Sequence, residues 1–133
     1  MKFVRLSLCL LIALAVAIPA VAQEGFPLTG VWSGDWGTSA KERNHTTLVL
    51  SWDGKTVQGL VDPGPDSAKV RVATLDSTKW TVRFEYDLKD KSGKLVPFIV
   101  DGKLQNPASR KNRMVVGTFT HGTVKGDFKI TMD

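Results

Sequence analysis

Lys79-Trp80-Thr81-Val82-Arg83-Phe84-Glu85-Tyr86-Asp87-Leu88 alternates without a fault. Trp80, Val82, Phe84, Tyr86 and Leu88 are apolar or aromatic, and the five residues between them are polar. In an extended chain, successive side chains leave opposite faces. The stretch therefore predicts a strand with one buried and one wet face, the habit of an antiparallel sheet packed on one side.

The same rhythm continues in both directions. Toward the N-terminus, Leu28-Thr29-Gly30-Val31-Trp32-Ser33-Gly34-Asp35-Trp36 predicts the opening strand, with Leu28, Gly30, Trp32, Gly34 and Trp36 on one face. Gly37 to Asn44 is a polar loop, and strand two is expected over His45 to Trp52. Asp53-Gly54 is a hairpin signal. Strand three follows over Lys55 to Asp62, ended by the breaker Pro63-Gly64-Pro65-Asp66. Strand four is expected over Ala68 to Leu75, with Val70 and Val72 alternating with Lys69 and Arg71. Toward the C-terminus, Asp90-Lys91-Ser92-Gly93 is a turn, and strand six runs Leu95 to Val100, with Leu104 as a short continuation. Pro97 has no N–H to give, so it belongs at an edge, a bulge or an unpaired position. The polar loop Asn106 to Asn112 leads into strand seven, Arg113 to Thr120. His121-Gly122-Thr123 turns the chain into strand eight, Lys125 to Met132.

Eight short, evenly spaced strands joined by turn chemistry predict an all-β, single eight-stranded antiparallel up-and-down barrel. Closure removes the exposed edges that an open sheet carries. A two-sheet sandwich is the competing arrangement; the short turns and the lack of a long crossover favour the barrel.

The first residues read differently. Met1-Lys2-Phe3-Val4-Arg5 is basic, Leu6 to Ile18 is largely apolar, and Ala20-Val21-Ala22 precedes Gln23. That pattern predicts a cleavable signal peptide over 1–22, read as helix, and a domain over 23–133. The apolar run is shorter than the roughly 20 residues of a membrane-spanning helix. The expected location is secreted or periplasmic. The one cysteine, Cys9, leaves with the leader, so disulfides and thiolate chemistry are excluded from the mature domain. Removing Lys2 and Arg5 leaves 16 basic residues against 13 acidic ones, from 18 and 13 in the whole chain. This modest, dispersed positive charge is not a nucleic-acid footprint.

Gly30-Val31-Trp32 is similar to the Gly-x-Trp opening of lipocalins, and Leu28 to Trp32 resembles the first strand of avidin-like barrels. Val116-Gly117-Thr118-Phe119-Thr120-His121-Gly122, then Gly126-Asp127-Phe128-Lys129-Ile130, resembles the Gly-Thr-Trp-x-x-Gly close of small β domains in secreted bacterial proteins. Phe119 takes the Trp position in that comparison. The resemblance implies a small barrel of the lipocalin or avidin type.

An eight-stranded barrel is either filled by side chains or holds one small ligand. Trp32 and Trp80 are expected in the core. Trp36 ends strand one beside a polar loop and is the best candidate for a ligand-facing ring. The candidate ligand-binding residues are Trp36, Arg43, Asn44, Trp52, His121 and Lys125. The first and last strands of a barrel are neighbours, so Arg43 and Lys125 would meet near one rim and recognise an acid group; solvated surface charge is the plainer alternative. His45 and His121 lack metal-ligand spacing, and no serine lies in a nucleophile elbow. No metal, cofactor or catalytic residue is expected. The sequence thus predicts an exported, non-enzymatic barrel that binds a small, partly apolar molecule in its interior or at its rim. The alternative is a cell-envelope interaction module with a solid core and a protein partner.

Overall fold

A computed structural model describes residues 26–133, and the signal-peptide reading lies outside them. After a single 3-10 turn, Phe26–Leu28, come nine strands: β1 (Gly30–Gly37), β2 (Arg43–Trp52), β3 (Val57–Val61), β4 (Ala68–Lys69), β5 (Val72–Asp76), β6 (Thr81–Lys89), β7 (Leu95–Gln105), β8 (Met114–His121) and β9 (Val124–Met132). They form one antiparallel sheet in the order β4-β3-β2-β1-β9-β8-β7-β6-β5. Every neighbour but one is adjacent in sequence. The exception is β1 against β9, where Trp32↔Met132 through Gly37↔Asp127 join the first strand to the last. The predicted meander is the observed topology, curled into a half-barrel.

The nine strands arise because strand four divides. The expected alternation of Val70 and Val72 does not survive folding. Val70 is buried with Ala68 on the inner face, but in β5 the inward residues are Ala73 and Leu75. Inward parity therefore changes from even to odd across Arg71 and Val72, the signature of an extra residue in a strand. The kink lets one short segment touch both edges of the curled sheet. The Val70 N–H donates to the Gly59 carbonyl of β3 at 2.9 Å, and the Arg71 N–H donates to Glu85 of β6 at 2.8 Å. Because the segment crosses from edge to edge, it leaves a cleft on each side. One, of about 350 Å³, opens between β3 and β5; the other, of about 660 Å³, opens between β4 and the end of β6.

Three other expectations shift. β7 continues unbroken to Gln105, because Gly102 faces Gly117 on β8. A Cβ on Gly117 would collide with the Asp101 carbonyl, so glycine permits the close approach. Pro97 stands one residue beyond the β7–β8 ladder, which begins at Phe98↔His121, and so occupies an unpaired position on that side. Trp80 is not a strand residue. It sits in the turn before β6 with φ 55°, half-buried against the core, and its carbonyl accepts from the Leu104 N–H at 2.8 Å. Asp76 shapes that turn by accepting from the Thr78 and Lys79 N–H groups, which ends the alternation before it reaches Trp80.

The concave face is filled. Trp32, Phe84, Tyr86, Phe98, Phe119 and Phe128 are fully buried, with Leu28, Leu48, Val61, Val100, Val115 and Ile130 among them. Burying each such side chain contributes about 1.5–3 kcal/mol relative to leaving it in water. The Trp32 indole N–H donates to the Leu28 carbonyl at 2.9 Å, which satisfies the one polar atom of a buried ring. Arg113, expected at the start of strand seven, closes the far end. Its guanidinium donates to the carbonyls of Pro27 and Pro107 at 2.9 and 2.7 Å. Burial pushes its pKa down, and nearby Arg110 adds to the shift.

Gly34 is the residue on which the β1–β9 pairing turns, since a Cβ there would collide with the Lys129 carbonyl. Gly34→Ala should lower stability by about 2–4 kcal/mol, as expected when an added atom meets immovable backbone. Urea unfolding checks this against the exposed-loop variant Ala40→Ser; equal stability of the two proteins would contradict the close approach.

Candidate functional site

Hairpin ends alternate between the two rims of a meander. The rim that carries the end of β1 also carries the start of β2, the β6–β7 turn and the β8–β9 turn. Three sequence candidates meet there. Trp36, Asn44 and His121 line one open cavity of about 650 Å³, with Val124 and the turn Asp90 to Ser92 as further walls. A volume of that size lies within the range of small-molecule sites.

Each side chain is positioned by the strand that carries it. Trp36 pairs with Asn44 on β2 and with Phe128 on β9, sharing the inner face with Trp32. Its ring meets Phe98 and Phe119 edge-on, at centroid distances of 4.9 and 5.0 Å. Beneath it, Tyr86, Phe98 and Phe119 form a parallel stack with spacings of 5.2 and 4.8 Å. Such ring pairs add about 0.5–1.5 kcal/mol each beyond area burial. Trp36 therefore roofs a rigid aromatic column. Unlike that of Trp32, its indole N–H meets no acceptor among the described residues.

His121 is the last residue of β8, on the inner face two positions after Phe119. Its Nε2 lies 2.9 Å from the Leu88 carbonyl. A carbonyl only accepts, so Nε2 carries a proton and donates, and Nδ1 is the ring nitrogen turned away from Leu88. Asn44 donates weakly to the Trp36 carbonyl at 3.4 Å, and its amide oxygen has no partner among the described residues. Asp90 holds the turn between β6 and β7. Its Oδ1 accepts from the Ser92 hydroxyl at 2.6 Å, the Ser92 N–H at 2.9 Å and the Lys94 N–H at 3.0 Å. The Ser92 hydroxyl, followed by the Lys94 N–H, holds the Asp90 carboxyl below its usual range.

The other candidates lie elsewhere. Arg43 is next to Asn44 and so leaves the opposite face of β2. It is ion-paired with Asp35 on β1 and bidentate to Asp127 on β9, at 2.7 and 2.9 Å. Those two carboxylates raise its pKa, the Asp127 bond most, so the guanidinium is occupied on the outer wall. Lys125 is exposed opposite Thr120 and shares the outward parity of Asp127. Trp52 is at the other rim, where it lines the cleft between β3 and β5 with Val57 and Leu75. His45 is exposed on the outer face, with Nε2 3.5 Å from the Thr47 hydroxyl. Among the described residues, no three His, Cys, Asp or Glu side chains converge as a metal site would need.

Sequence reasoning missed Val124, Glu42 and the Asp90 turn as parts of this site. The signal for all three was the topology itself. Once strands alternate, every second turn lies at the Trp36 rim.

The chain is a small, β-barrel-like, all-antiparallel protein with an open cavity of mixed apolar and polar lining at one rim. It matches no protein-family model, and no curated protein or solved structure matches it. Among the described residues no helix is long and apolar enough to cross a membrane.

The outer-wall ion pair sets a pH dependence. Arg43 holds the folded Asp127 carboxyl below its usual range. A depressed carboxylate stabilises the fold at pH above its unfolded pKa of about 3.9 and loses that contribution as pH falls through the lower folded value. Stability should therefore fall below about pH 4. In Arg43→Met the Asp127 part of that fall should vanish, giving a shallower slope in urea melts between roughly pH 4 and 2. Parallel curves would contradict the pairing.

Proposed function

We propose that the protein is an exported, non-enzymatic barrel that binds a small, partly apolar molecule at the Trp36 rim. The observation that carries this reading is the convergence of Trp36, Asn44 and His121 on one open cavity. They come from three different strands, and among the described residues each has a polar atom with no protein partner. An aromatic wall with a few converging polar groups is the ordinary make-up of a ligand site. The rim is favoured over the interior because aromatic rings occupy the concave face. Export rests on the basic, apolar and small-residue pattern of residues 1–22. The lipocalin or avidin likeness rests on the Gly30-Val31-Trp32 opening and on the meander, and it enters only as support for a binding role.

A second reading has its own observation. Val31, Val49 and Leu60 are paired across β1, β2 and β3, and all face outward at 41, 38 and 43% exposure. An outward apolar row on a sheet suits contact with an envelope protein. In that case the barrel is a solid interaction module.

Native mass spectrometry of protein purified from its own host separates the two. Binding at the rim predicts a mature chain beginning at Gln23 with a bound small molecule, and loss of that adduct in Trp36→Ala. An adduct-free chain whose Trp36 fluorescence answers to no small molecule would overturn the rim reading.

A further inference from the structure

The formal charges around the rim cavity balance, and this narrows what fits it. Four formal charges border it: Lys89 and Lys91 against Glu42 and Asp90. The signs cancel. Both carboxylates are also engaged locally. Glu42 accepts from the Thr38 hydroxyl at 2.9 Å, and Asp90 is bonded within its own turn. The one guanidinium beside the rim, Arg43, lies on the outer wall between Asp35 and Asp127. The four formal charges of the lining sum to zero, so the balance favours neither an anion nor a cation.

The uncharged groups do have spare capacity. The Trp36 indole N–H has no acceptor among the described residues. Among the described residues the amide oxygen of Asn44 and Nδ1 of His121 have no partner; the bond from Nε2 to Leu88 leaves Nδ1 as the ring nitrogen facing a ligand, an acceptor in the neutral tautomer. Neither ring is free to turn away. Trp36 stands on the Phe98–Phe119 stack, and His121 lies against Phe98 at 5.5 Å. A purely hydrocarbon occupant would strip water from all three groups and return no hydrogen bond, which is the penalty that excludes such ligands from polar sites. What remains is a neutral molecule with apolar C–H faces and directional hydroxyls.

Resting on the rim reading, we infer that the Trp36 cavity takes a neutral saccharide. A sugar ring offers C–H groups to the indole and to Val124. Its hydroxyls accept from the Trp36 N–H and donate to Asn44 and His121. Hydroxyls accept and donate at once, so they satisfy a mixed set of fixed partners that no single-sign ligand would.

The test follows the four indole N–H signals in a 1H–15N correlation spectrum of the mature protein, with Trp36 assigned through Trp36→Phe. Three titrants are compared: neutral oligosaccharides (maltotriose, cellotriose and chitotriose), the apolar alcohol decanol, and inorganic phosphate. The expected result is a saturable shift of the Trp36 signal with at least one oligosaccharide and none with phosphate. Affinity should be at least tenfold weaker in Asn44→Ala, whose other three indole signals should stay in place and so report an intact fold. A Trp36 shift with decanol and none with the oligosaccharides would overturn the sugar assignment and leave the rim site standing. Saturable binding of phosphate at Trp36 would overturn the charge argument in the same way. No shift with any titrant would remove both the sugar and the rim.

Discussion

The ladder between β1 and β9 is the interaction on which the rest depends. It joins residues 90 to 100 positions apart, Trp32 to Met132 at one end and Gly37 to Asp127 at the other. Without it there would be two separate ribbons, β4 to β1 and β9 to β5, each with an open face. With it, the inner faces of both ribbons share one core. The pairing is tight because Gly34 has no side chain to hold β9 away. A ladder that long closes a very large loop, which is entropically costly but only weakly dependent on loop length. The aromatic rings buried behind it offset that cost.

The same ladder creates the rim. Trp36 pairs with Phe128 of β9, and His121 pairs with Val124 of β9. β9 is thus the shared neighbour that sets the indole and the imidazole around one opening. The stack of Tyr86, Phe98 and Phe119 then fixes their height. The buried Tyr86 hydroxyl has no hydrogen-bond partner among the described residues. Burial, and to a lesser degree the Asp62 carboxylate, pushes its pKa far up, so the phenol stays neutral. An unpaired buried hydroxyl is a standing cost, tolerated here by the packing around it.

Strand rhythm was plain in the sequence wherever one face is buried and the other wet. Thr81 to Leu88 is the clearest case, and the meander followed from the turns between such stretches. The change of parity across Arg71 and Val72 was not legible, because Lys69 to Val72 alternates well as a string. Only the need to touch both β3 and β6 imposes the extra residue. Trp80 was misplaced for a related reason: its parity was right, but the Asp76 turn had already taken the backbone out of the sheet. At the rim, Trp36, Asn44 and His121 were each visible as residue types at strand ends. Arg43 was assigned to the same rim, yet its occupied state depends on Asp127, 84 residues away, and no local pattern reveals that.

The joining of the first strand to the last is tested most directly by NMR on the mature protein. The account predicts cross-strand nuclear Overhauser contacts between residues 32–37 and 127–132. It also predicts β1 amides exchanging with solvent as slowly as those in the middle of β7. Fast exchange throughout β1, with no contact from Gly34 to Ile130, would contradict it.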